Sequence, residues 1–141
     1  MSYHDVINGL RPFNDVEWIG SDMIGEIAVF VTAGVGPIPK TAYLNEAEFE
    51  LVTNWVFSLK LDLRLNLERG IYVYDYSGLS GNYGWYDPAY TYKKICQNTS
   101  SEIIEVPKDI LNISKRNIFK GIKFADCESV LIESIFRDIN V

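Results

Sequence analysis

The segment Glu26-Ile-Ala-Val-Phe-Val-Thr32 constrains this chain more than any other. It is almost continuously apolar and rich in β-branched and aromatic residues. That pattern predicts a strand buried on both faces, because a half-exposed strand would alternate. The strand must end at Ala33-Gly-Val-Gly-Pro-Ile-Pro39, where two glycines and two prolines force a loop.

One helix is legible, over residues 45–60. Asn45 is a good N-cap, and Glu48 stands three residues on, as in a capping box. Phe49, Val52, Val56 and Leu59 recur at helical spacing, with Trp55 beside them. Glu46 and Glu50 sit near the positive end of the helix dipole, where acids are favoured. The apolar face is expected to pack on a sheet and to bury Trp55.

Further strands are predicted at Leu61–Leu67, Gly70–Ser77, Tyr90–Cys96 and Glu102–Val106. Residues 1–20 read as an irregular entry segment, from which Val16, Trp18 and Ile19 could reach a core. Lys108–Phe119 reads as a helical turn or short helix. Gly121–Phe124 and Val130–Ile135 read as a closing hairpin. The 141 residues suit one domain. The expected fold is α+β: a single domain over residues 1–141, with a mostly antiparallel or mixed sheet and one major helix, about residues 45–60, packed on it.

Several function classes fall away. No apolar run approaches the roughly 20 residues of a membrane span. The first residues, Met1-Ser-Tyr-His-Asp5, show no basic region and no apolar core of a signal peptide, so a cytosolic protein is expected. Cys96 and Cys127 lack metal-site spacing and are simplest as reduced thiols. The single histidine, His4, lies near the terminus and is a poor base for a nucleophile. Gly34-Val-Gly36 follows a strand, but Pro39 stands where the third small residue of a dinucleotide loop belongs. No phosphate loop and no calcium loop occurs. No catalytic residue, metal or cofactor is expected.

The net charge is −6 and unevenly placed. Residues 1–60 hold eight acids against three bases; residues 61–141 hold eleven against ten. Phosphate binding wants clustered Lys and Arg, so nucleic acid is disfavoured as a partner. An acidic half suits a basic protein partner, or simply a solvated face.

Seven of the nine tyrosines (Tyr72, Tyr74, Tyr76, Tyr83, Tyr86, Tyr90 and Tyr92) fall between residues 72 and 92, with Trp85, Asp75 and Asp87 among them. Three readings compete: cross-strand pairs inside a sheet, a protein-binding face, or a platform that stacks on sugars or bases. The two aspartates are also the only hint of a glycosidase pair, and their spacing does not demand one.

Three blocks carry a resemblance. They are Trp18-Ile-Gly-Ser-Asp22 with Gly25–Phe30 and Thr32–Pro39; Tyr72–Tyr76 with Asn82-Tyr-Gly-Trp-Tyr-Asp-Pro88; and Val106–Asp126 with Val130–Phe136. In general pattern the chain resembles the small bacterial immunity proteins that accompany polymorphic and contact-dependent inhibition toxins. The resemblance implies a non-enzymatic inhibitor that binds one cognate toxin C-terminal domain, often a basic nuclease. The surface expected to bind it combines Asp15, Glu17, Glu46 and Glu50 with the loop residues Tyr83, Trp85, Tyr86 and Asp87. The alternative is a small carbohydrate- or ligand-binding module built on that Tyr/Trp/Asp loop.

Overall fold

The computed structural model describes residues 3–7, 16–32, 38–60, 68–69, 71–76, 91–98 and 104–131. The strand Ile27–Val31 (β2) lies in the interior, with every residue buried. It pairs antiparallel with Glu17–Ser21 (β1) and parallel with Tyr72–Tyr76 (β4). Between β2 and β4 the chain passes through the helix Glu46–Ser58 (α2), the crossover that a parallel pair requires. The strand Thr91–Asn98 (β5) runs antiparallel to β4, and its far edge carries Ser129–Leu131 (β6) and the two-residue Glu68–Arg69 (β3). The sheet is therefore mixed, and the α+β expectation holds. Tyr3–Ile7 (α1) precedes it, and Lys108–Arg116 (α3) packs beside β1.

Register sorts the sheet into two unlike faces, because successive side chains point to opposite sides. One rank across the strands reads Ile19, Val29, Val73. It is aliphatic and fully buried. Ser21 shares that side of β1, and its hydroxyl donates to the Ser114 carbonyl at 3.2 Å, which sets α3 there. The other rank reads Trp18, Phe30, Tyr74, Lys94. Its rings stack: Trp18 on Phe30 at 4.2 Å and Phe30 on Tyr74 at 5.3 Å, both nearly parallel. No helix covers this face among the described residues. Phe119 and Phe124, from the segment after α3, lie over it, with centroids 5.1 and 6.0 Å from Phe30.

That cover is tied down by polar groups. Residues 117–119 run along the outer edge of β1: the Ser21 N–H donates to the Asn117 carbonyl at 3.0 Å, and the Phe119 N–H donates to the Ser21 carbonyl at 2.8 Å. The Asn117 side chain is buried and donates to the Ile19 carbonyl at 2.9 Å. The 3-10 turn Phe124–Asp126 is gripped at both ends of one residue. Asp22, buried, accepts from the Phe124 N–H at 2.9 Å. Lys94, buried, donates to the Phe124 carbonyl at 2.8 Å and stands 3.6 Å from Glu128. Buried charges need such partners to be tolerated.

Three expectations change. Residues 17–21, assigned to an irregular entry segment, form β1. Ile104–Pro107, the described end of the expected strand Glu102–Val106, is not a strand. The closing hairpin is absent: residues 121–124 lead into the 3-10 turn, and β6 pairs with the distant β5. The short helix expected over Lys108–Phe119 forms at Lys108–Arg116, and the chain straightens at Asn117. The expected strand Leu61–Leu67 lies outside the described residues.

Gly20 reports directly on the Phe119 contact. A methyl there would stand 2.8 Å from the Asn117 carbonyl oxygen and 2.8 Å from the Phe119 ring. Gly20→Ala must displace backbone as well as a ring, and overpacking of this kind costs about 1–3 kcal/mol. Thermal unfolding of Gly20→Ala should show a clearly lowered midpoint. A midpoint equal to the parent's would mean that the 117–119 segment does not hold this edge.

Candidate functional site

Helix α2 begins where Asn45 accepts from the Glu48 N–H at 2.9 Å. The reciprocal half of the capping box is displaced by one residue, since Glu48 accepts from the Leu44 N–H at 2.9 Å. The helix then divides by its period. Phe49, Val52, Trp55 and Val56 are buried, as the spacing predicts, and Trp55 is 9% exposed. Glu46, Ala47, Glu50, Leu51, Asn54 and Phe57 face outward. Phe57 is 84% exposed and Leu44, just before the helix, 61%. The outer surface of α2 thus joins two acids to three large apolar side chains.

Arg116 at the end of α3 braces this helix. Its guanidinium donates to both carboxylate oxygens of Glu48, to Oε2 at 3.0 Å, and its Nε donates to the Thr41 carbonyl at 3.3 Å. Partial burial pushes the Glu48 carboxyl up. The Arg116 hydrogen bonds, the Leu44 N–H and the Arg116 charge outweigh it, so the net shift is downward.

The residues singled out in the sequence do not all converge. Glu46 and Glu50 share the outer face of α2. Glu17 is half-buried on β1, where its backbone carbonyl accepts from the Tyr43 hydroxyl. Asp15, Tyr83, Trp85, Tyr86 and Asp87 lie outside the described residues. Of the tyrosine cluster, Tyr72, Tyr74, Tyr76 and Tyr92 are core. Tyr76 faces Tyr92 across β4 and β5 at 5.3 Å, and the Tyr92 hydroxyl accepts from the Trp18 indole N–H at 3.2 Å. The cross-strand reading holds for Tyr74, Tyr76 and Tyr92, whereas Tyr72 is buried against Phe124 of the 3-10 turn. Burial, with Glu26, Asp22 and Asp126 nearby, pushes the Tyr72 phenol up to about 12, and burial raises Tyr74 as well. Neither is tuned toward proton transfer near neutral pH.

His4 is exposed on α1, and Asp75 is half-buried on β4. No group of three or more His, Cys, Asp or Glu able to hold a metal occurs among the described residues. No helix among them is long and apolar enough to cross a membrane. Phe57 was missed by sequence reading although a signal existed: it falls outside the stripe of Phe49, Val52, Val56 and Leu59. No protein-family model, curated protein or solved structure matches the chain.

The Glu48–Arg116 brace has a defined pH dependence. A carboxylate whose pKa is lower folded than unfolded stabilises the fold above its unfolded value, here 4.5, and loses that contribution as pH falls through the folded value. A double-mutant cycle with Glu48→Gln and Arg116→Gln should give a coupling of about 1 kcal/mol at pH 7. The coupling should vanish in strongly acidic buffer. Equal coupling at both pH values would show that the ion pair is not its source.

Proposed function

We propose that this protein is a non-catalytic inhibitor: an immunity protein that binds and neutralises a basic toxin domain in the bacterial cytosol. The observation that carries the reading is the outer face of α2, which exposes the acids Glu46 and Glu50 together with Leu51 and, further along the helix, Phe57. A single exposed apolar residue needs no explanation, but a group rimmed by charge marks an interaction surface. Aromatics supply desolvated anchors at such surfaces. Acids on a chain of net charge −6 would steer a cationic partner and select it. The family resemblance and the acidic bias of residues 1–60 point the same way. The alternative, a carbohydrate- or ligand-binding module, draws nothing from Tyr72, Tyr74, Tyr76 and Tyr92, which are spent inside the sheet.

Co-purification with the product of the adjacent upstream gene identifies the partner, and kinetics then separate the two roles. Phe57→Ala should mainly raise the off-rate, with a loss of about 2 kcal/mol or more if it is a hot spot. Glu46→Gln with Glu50→Gln should mainly slow association and flatten its salt dependence. All of these side chains are exposed, so the melting midpoints should stay near the parent's. If every variant binds like the parent and association ignores salt, α2 is not the binding face.

A further inference from the structure

A groove of about 460 Å³ opens between α2 and α3, beside the face just described. Its volume falls in the range of sites that enclose a ligand group, roughly 300–1,000 Å³. Ala47, Leu51 and Ile113 give it an apolar lining. Its polar lining is of two kinds. Glu48 and Arg116 already satisfy each other. Asp109 and Asn112, by contrast, make no side-chain hydrogen bond or ion pair among the described residues. The groove therefore offers an apolar wall, one uncommitted carboxylate and one uncommitted amide. Glu46 and Glu50 stand on the same helix, outside the lining.

We propose that this groove is a socket for a basic side chain, an arginine or lysine projecting from the partner protein. Such a side chain has the two parts that the groove accommodates. Its methylene stem lies along apolar surface while its cationic head keeps polar contacts. Asp109 takes the head, and the Asn112 amide oxygen accepts a second N–H, an arrangement that favours the forked guanidinium over the ammonium. An anion is a poor fit, because the one cation lining the groove among the described residues, Arg116, is engaged by Glu48 and the Thr41 carbonyl. The inference rests on the protein-binding reading and names the chemistry by which it selects its partner.

The test uses the whole protein and a blocked tripeptide, acetyl-Gly-Arg-Gly-amide, with the citrulline analogue as a neutral isostere. Titration followed by amide chemical shifts should give saturable changes centred on Leu51, Asp109, Asn112 and Ile113. The citrulline peptide should bind at least about tenfold more weakly, the ratio expected when a charged hydrogen-bonding partner is lost. Asp109→Asn should abolish the preference; because Asp109 is exposed, this variant keeps its fold, which its own amide spectrum verifies. Equal shifts with both peptides, or shifts scattered away from the groove, or undiminished preference in Asp109→Asn would each overturn the socket. Failure here is distinct from failure of the protein-binding reading. If Phe57→Ala weakens the toxin complex while the arginine peptide ignores the groove, the binding face stands and the socket does not. If the peptide occupies the groove but no α2 variant affects capture of a partner, the reverse holds.

Discussion

A strand buried on both faces must be covered twice, and β2 is covered by two unlike things. The aliphatic side of the sheet meets helices. The other side meets two phenylalanines from an irregular segment, and Phe30 stands at the centre of their contact, stacked between Trp18 and Tyr74 beneath Phe119. Aromatic rings suit this role because each brings a large buried area with few rotatable bonds. The remaining organisation of the molecule follows from holding that irregular cover in place.

Irregular backbone over a core carries polar groups that must be satisfied. Here three buried polar side chains do so. Asn117 ties the start of the cover to β1, Asp22 takes the Phe124 N–H, and Lys94 takes the Phe124 carbonyl. Asp22 also accepts from the Ile24 and Glu26 N–H groups, so the turn between β1 and β2 and the distant 3-10 turn share one carboxylate. Lys94 lies 5.5 Å from the Tyr72 ring, which adds attraction to a buried cation whose acid partner, Glu128, is itself exposed. Removing either charge would strand the other polar groups in the core, a larger loss than the mean value of one hydrogen bond.

Local signals explain what was legible in the sequence. Helix α2 could be read because Asn45 and the Phe49, Val52, Val56 spacing act within a few residues of one another. The strands β2, β4 and β5 could be read because β-branched and aromatic residues crowd into short runs. β1 could not, since Trp18-Ile-Gly-Ser offers too short a pattern, and its burial is completed by residues of α3 and of 117–119, far along the chain. The same non-locality hid the partner of β6, which overlaps the expected strand Val130–Ile135 but pairs with β5 and not with the neighbouring segment. Nothing in the local sequence signals that the missing side chain of Gly20 is what admits Phe119. In the tyrosine cluster, alternation alone cannot tell a wet face from a buried one. Tyr72 and Tyr74 needed the second layer, Phe124, and Tyr76 its cross-strand partner Tyr92, before they could be placed inside.

The candidate site was legible only in half. Glu46 and Glu50 follow from the helix start, while Phe57 follows from what the inner stripe leaves out. This division matters physically. The inner face of α2 is committed to the core, so its residues answer to packing. Its outer face is free of that demand, since neither Phe57 nor the two acids bury surface in the fold. A side chain that the fold does not require can be shaped by what it meets. The Glu48–Arg116 brace sits between these regimes: it joins α2 to α3 without using up Asp109 or the outward acids. The brace ties the two helices together beside the outer face of α2, and a surface held in place beforehand loses less conformational freedom on binding than one that must first be ordered.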